Sequence, residues 1–183
     1  MADQKISALT EVTAPAASDV LPIVNSSTTK KVQLQNAVKV GNVALWARVF
    51  HSTSQSISHD TLTALSFNSE RADTDTIHDN STNNSRLKAT SSGVYVITGV
   101  VDFAANATGL RSIHIRHGGS TFIAGQETNA VSGIATRLNV STVYAMAANE
   151  YVELLVYQNS GGSLSIPSTA NVSPEFSMIR IGA

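Results

Sequence analysis

The chain contains no cysteine in its 183 residues. Disulfides and thiolate metal sites are therefore excluded, and packing and association must hold the fold together. Charge is scarce as well: charged residues make up 14%, against a usual ~25%. The net charge is −1. With no basic excess to hold phosphates, a nucleic-acid partner is not expected. No apolar run reaches the ~18 residues of a membrane span, so no membrane insertion is expected. The first residues, MADQKISALTE, lack an apolar core, and no secretion signal is expected. Aromatic residues are few, at 5%.

Short polar side chains fill the space left by charge. Serine, threonine and asparagine together supply 55 residues, a composition suited to turns and exposed strand faces. Apolar residues still make up 42% and recur in strand-like runs, which argues against disorder. The most telling run is Gly93 to Phe103, GVYVITGVVDF. Side chains alternate along a strand. Tyr95, Ile97, Val101 and Phe103 therefore share one face, and Val94, Val96 and Val100 share the other. A sandwich strand buries one face and wets its opposite. Burying both calls for a second partner, most simply another copy of the chain.

Residues 1–42 read as a separate piece. They hold two of the four prolines and no aromatic residue. Asp19 to Val24 reads as a short extended segment with Pro22 at an edge. Asn25 to Thr29 reads as a turn, and Lys30 to Gln35 alternates. A small hairpin behind an extended arm is expected, with Val20, Leu21, Ile23, Val32 and Leu34 as its docking side chains. Such a hairpin is marginal alone and needs something to dock on.

From Val43 onward, short strand runs alternate with turn clusters. The expected strands are Leu45–Phe50, Thr61–Phe67, Gly93–Phe103, Arg111–Arg116, Phe122–Ala124, Arg137–Met146, Tyr151–Tyr157 and Phe176–Ile181. This pattern predicts an all-β, antiparallel sandwich or jelly roll over residues 43–183.

Several stretches carry a resemblance: LSFNSERADTDTIHD, SSGVYVITGVVDF, TGLRSIHIRHGG, STVYAMAANEYVELLVYQNSGGSL and PEFSMIRIG. In order and spacing they resemble the jelly-roll domain shared by the globular head of the first complement component and tumour necrosis factor. Gly93 and Tyr95 sit where that family opens its central strand. Ala148-Asn149-Glu150 departs from the Gly-Asp usual before the penultimate strand. The resemblance implies a ten-stranded jelly roll that forms homotrimers, with Val94, Tyr95, Val96, Tyr144 and Ile179 at the threefold axis or in the core. A second resemblance lies in KISALTEV, SDVLPIVN and TKKVQLQNAV. It is to a segment near the start of bacteriophage virion proteins, in tail fibres, collars and head decorations. This implies a capsid-decorating or cement protein held to the major capsid protein, or to other virion proteins, through residues 1–42. The alternative it leaves open is a tail-fibre, collar or receptor-binding tip protein that recognises a host surface glycan or protein.

The chemistry-bearing residues give little. Asp73, Asp75 and Asp79 offer the hard oxygens that Ca²⁺ takes, but without the spacing of an EF-hand. The competing reading is a loop whose Asp and Asn residues cap turns. His114 and His117 fall on opposite faces of one strand and make poor partners for one metal. Gly-x-Ser-x-Gly is absent, so no nucleophile elbow is expected. Gly118-Gly119-Ser120 reads as a turn rather than a phosphate loop. Glu150 and Glu153 diverge along a strand and read as surface charges on an edge. A polysaccharide hydrolase needs paired carboxylates about 5–10 Å apart across a groove, and no such pair is legible. The aromatics read as core or interface packing, with no exposed group on loops to serve as a sugar platform. The expectation is a protein that is not an enzyme and has no cofactor, Ca²⁺ being the one cation the acidic loop offers.

Overall fold

The computed structural model describes residues 16, 18–25, 28–33 and 44–182. The chain divides into two units, Met1–Val43 and Ala44–Ala183. In the first, β1 (Val20–Asn25) and β2 (Thr28–Gln33) pair antiparallel, with Leu21 opposite Val32. Val20 and Leu21 are exposed and Val32 is half-buried. Ile23 stands opposite Lys30 in the register, whereas Leu34 lies outside the described residues.

The second unit is a jelly roll of two five-stranded antiparallel sheets. The strands are β3 (Trp46–Phe50), β4 (Gln55–Ile57), β5 (Thr63–Ala64), β6 (Ser69–Asp73), β7 (Arg86–Lys88) and β8 (Gly93–Phe103). They continue with β9 (Leu110–His117), β10 (Thr121–Asn129), β11 (Thr136–Met146), β12 (Tyr151–Gln158), β13 (Leu164–Ile166) and β14 (Glu175–Gly182). One sheet runs β11-β8-β14-β3-β6. The other runs β10-β9-β12-β5, with β7 also on β12. β4 and β13 form a small separate pair. The ten strands of the two large sheets match the number implied by the sequence resemblance. No helix occurs among the described residues, and none there is long and apolar enough to cross a membrane.

Alternation explains why these segments became strands. Along β8, Tyr95, Ile97, Gly99, Val101 and Phe103 are buried, and the residues between them are half-buried. Leu138, Val140 and Tyr144 of β11 stand opposite Val101, Gly99 and Tyr95 and share that inward face. From the second sheet, Ile113, Ile115, Leu154 and Val156 meet them in one core. Phe67 and Phe176 stack there with centroids 5.7 Å apart. Burying apolar area of this kind is the main favourable term in the fold, at about 25 cal/mol per Å².

Two local features fix the geometry. Gly99 lies directly under Leu154 of the facing sheet. A Cβ there would sit 2.3 Å from the leucine Cδ1, so only glycine lets the sheets approach so closely. At the β11–β12 turn, Asn149 adopts a left-handed φ of 71°, a conformation asparagine tolerates better than most residues. The Glu150 carboxylate accepts the Ala147 N–H at 2.8 Å and closes the turn. Ala148-Asn149-Glu150 thus makes a tight turn without the family's Gly-Asp.

The expected strand Thr61–Phe67 shrinks to Thr63–Ala64. Beyond it the Gln55 side chain bonds Ser66 N and O, replacing a ladder partner while Leu65 and Phe67 stay buried. Phe122–Ala124 extends instead to Thr121–Asn129, since β9 templates the whole length.

Candidate functional site

β8 has two faces, and its outward one remains open. Register places Trp46 (β3) opposite Ile179 (β14), Ile179 opposite Val96 (β8) and Val96 opposite Val143 (β11). Four apolar side chains therefore cross four adjacent strands in one row. Val94 and Ala145 begin the next row. Val143 is 60% exposed, Ile181 58% and Ile179 37%, while Trp46, Val94 and Val96 are half-buried. The inner faces of the two sheets are occupied by one another, so this outer row has no cover within the jelly roll.

The five side chains expected at an axis or core divide between the two sides of the sheet. Tyr95 is fully buried, and its hydroxyl donates to Ser91 O at 2.6 Å. Burial pushes the Tyr95 phenol above its ordinary value. Tyr144 is partly buried on the same inward side, its ring 5.1 Å from that of His117. Val94, Val96 and Ile179 are on the outward side.

Farther along the outer face, Glu175 is nearly buried between two arginines. It accepts from Arg48 Nε at 2.8 Å and from Arg71 Nε at 2.8 Å. The other sheet carries a matching arrangement. Glu153 stands opposite both Arg86 and Arg116. It accepts from Arg116 Nη2 at 2.8 Å and from Ser85 Oγ at 3.1 Å, with Arg86 Nε at 3.5 Å. Glu153 is 5% exposed, which corrects its reading as a surface charge. Its arginines lie 37 and 67 positions away in sequence, so no local pattern could reveal the clamp.

The acidic loop is used up structurally. Asp73 accepts from the backbone N–H groups of Asp75, Ile77 and His78. Asp75 accepts from the Thr90 hydroxyl. Asp79 Oδ1 accepts from Ser81 N, Ser81 Oγ and Thr82 N, and those bonds lower its pKa to about 2. The three carboxylates serve separate turns. Among the described residues no group of three His, Asp or Glu side chains is arranged to hold a metal ion.

His114 and His117 take opposite sides of β9: the His114 ring lies 5.3 Å from Phe122 on the outer side, and His117 packs inward on Tyr144. His114 Nε2 is 2.9 Å from Ser112 Oγ. Ser112 is buried, so its hydroxyl faces packed protein rather than solvent. Burial lowers the His114 pKa, and Glu127 opposes that shift. Phe122 is 52% exposed, so of the two packing roles expected for the aromatics, core or interface, it does not take the core one.

No protein-family model matches the chain, and no curated protein sequence matches it. Solved structures do. Crystal structures of murine APRIL at pH 5.0 and at pH 8.5 superpose with TM-scores of 0.57 and 0.58 at 8% sequence identity. Each alignment covers 76% of this chain and 100% of the other. The likeness shows the fold: a jelly roll of the tumour-necrosis-factor kind.

Proposed function

We propose that the chain is a non-catalytic structural protein that assembles as a homotrimer and decorates or cements the head of a bacteriophage virion. The observation that carries the assembly is the uncovered apolar row Trp46–Ile179–Val96–Val143. Soluble monomers rarely leave contiguous apolar patches open, and such patches mark interaction sites. A threefold ring needs two different surfaces on each copy, because its interface is head-to-tail. The outer side of β10 and the loop that follows it offer the second: Phe122, Val131 and Ile134 there are all more than half exposed.

The leading unit supplies the attachment in this reading. Its two-stranded sheet is too small to be stable alone, and Val20 and Leu21 present exposed apolar surface. Adding such a hairpin to a neighbouring sheet edge is a common way to fasten one protein to another. The major capsid protein or another virion protein is the proposed recipient, on the strength of the resemblance of residues 1–42 to virion attachment segments.

The mass of the full chain in solution tests the assembly. A threefold mass with a folded β spectrum supports it, and a stable folded monomer overturns it. Imaging of an intact particle tests the placement: copies spread over the head support decoration, whereas a few copies at the tail assign the protein to a fibre, collar or receptor-binding tip.

A further inference from the structure

A cleft of about 650 Å³ opens on the far side of the molecule's charged sheet, within the usual range for small-molecule sites. Its floor and walls come from β7, the start of β12, the turn before it and the loop leading into β7. None of its residues belongs to the apolar row. The cleft is built by a single chain, so it does not depend on the trimer or on the virion.

The walls are held by backbone bonds rather than left loose. Asp73 caps three N–H groups of the loop, those of Asp75, Ile77 and His78. Ile77 is 1% exposed and anchors the loop in the core. Lys88 N donates to Ile77 O at 2.8 Å, and Asn149 N donates to Ala89 O at 2.7 Å. Two wall residues, Asn83 and Asn149, sit at left-handed φ values of 55° and 71°. A cavity fixed this way loses little entropy when filled.

The chemistry of the lining is uneven. Arg86 and Lys88 are two apart on one strand and so face the same side. The Arg86 guanidinium lies 4.0 Å over the Tyr151 ring, and its Nε points to Glu153 at 3.5 Å. Stacking and the Nε contact hold the plane still. Among the described residues its terminal nitrogens have no hydrogen-bond partner. A guanidinium held with its fork free matches a carboxylate. The Lys88 ammonium and the side-chain amides of Asn83 and Asn149 are likewise without partners there. Asp79 adds an acceptor to the lining. The cleft thus combines two cations on one strand face with two side-chain amides and an acceptor.

From this arrangement we infer that the cleft binds a saccharide bearing a carboxylate, a uronic or sialic acid unit. The carboxylate sits on Arg86 and Lys88, and the sugar hydroxyls bond Asn83, Asn149 and Asp79. An aromatic sugar platform is not needed, and none is offered, because Arg86 already covers the Tyr151 ring. An acidic peptide fits less well: it would bring main-chain groups that need an open strand edge, and the unpartnered groups here are side chains.

The test is a titration of the full-length protein, followed by amide NMR shifts, with glucuronate, N-acetylneuraminate, glucose, inorganic phosphate and a short poly-glutamate peptide. The expected result is millimolar binding of the two acidic sugars, with shifts at residues 83, 86, 88 and 149. Glucose should bind at least tenfold more weakly, and affinity should fall with salt. Lys88→Glu should weaken the acidic sugars at least tenfold. Asn149→Gly suits the left-handed backbone of the turn and removes only the amide, so it should weaken them severalfold with the β spectrum unchanged. Equal binding of glucose, binding of phosphate or poly-glutamate alone, or no shift with any probe overturns the inference. Mass measured on the same samples shows whether the trimer stands or falls independently.

Discussion

The two large sheets turn outward in different ways. Each carries one glutamate clamped between two arginines: Arg48–Glu175–Arg71 on one and Arg86–Glu153–Arg116 on the other. On the β9–β12 sheet this ionic row lies in direct cross-strand register, and cross-strand pairs of opposite charge stabilise a sheet that faces water. On the β8–β14 sheet the clamp lies to one side, and the centre is the apolar row through Val96 and Ile179. At the centre of one outer surface charges are paired by their own neighbours, and at the centre of the other apolar side chains stand exposed. A single domain can thus carry both kinds of outer face on the same alternating pattern, because the pattern sets which residues point out but not what they are.

The largest expected effect breaks the contrast outright. Replacing Val96 and Ile179 together by lysine gives the open face the character of its opposite. The proposed trimer should be lost completely, read as a fall to one-chain mass with the β spectrum retained. An unchanged mass would show that this face is not the interface. The reverse change, Glu153→Ala, removes the finish from the other sheet and strands two arginines around a nearly buried position. Its expected cost is about 3 kcal/mol of stability, seen in denaturant midpoints, with the oligomeric mass unaffected. A third substitution, Gly99→Ala, acts between the sheets rather than outside them. The added methyl collides with Leu154 and should cost about 2 kcal/mol, with the sheets forced apart.

The smallest effect concerns pH. The folded pKa of Asp79, about 2, lies below its ordinary 3.8 because backbone and hydroxyl bonds favour the charged form. Its contribution is therefore fully present above about pH 4 and is lost as the pH falls through 2. The Ser81 and Thr82 amide signals should titrate with a midpoint near 2. A midpoint near 4 would mean that the cap is not formed.

The sequence showed the long alternating strands well. Gly93–Phe103 has the same bounds in the structure as in the sequence reading, because eleven residues of alternation leave one register. The sandwich followed from many short strand runs with turns between them, whereas the number ten came only from the resemblance to the tumour-necrosis-factor jelly roll. Short strands were not legible. Gln55–Ile57 and Leu164–Ile166 are three residues each and exist because they pair with each other. Ser69–Asp73 is polar but for Ala72 and is a strand only because β3 offers it an edge. The clamps and the cleft escaped for one reason: their members are far apart in sequence and meet through topology. The only local hint of the cleft was Arg86 and Lys88 two residues apart, which is unremarkable in a single chain. The leading segment's Val20, Leu21 and Val32 were placed in a hairpin by alternation and a turn, and that hairpin is present.

Trp46, at the start of β3, stands opposite Ile179, near the end of β14. The backbone thus enters and leaves the jelly roll at the same pole. The turn between β10 and β11 lies at the other, where a Cβ added to Gly133 would meet nothing within 4 Å. The two poles therefore differ in kind: one carries both ends of the jelly-roll backbone, and the other carries the exposed Val131 and Ile134 on either side of Gly133.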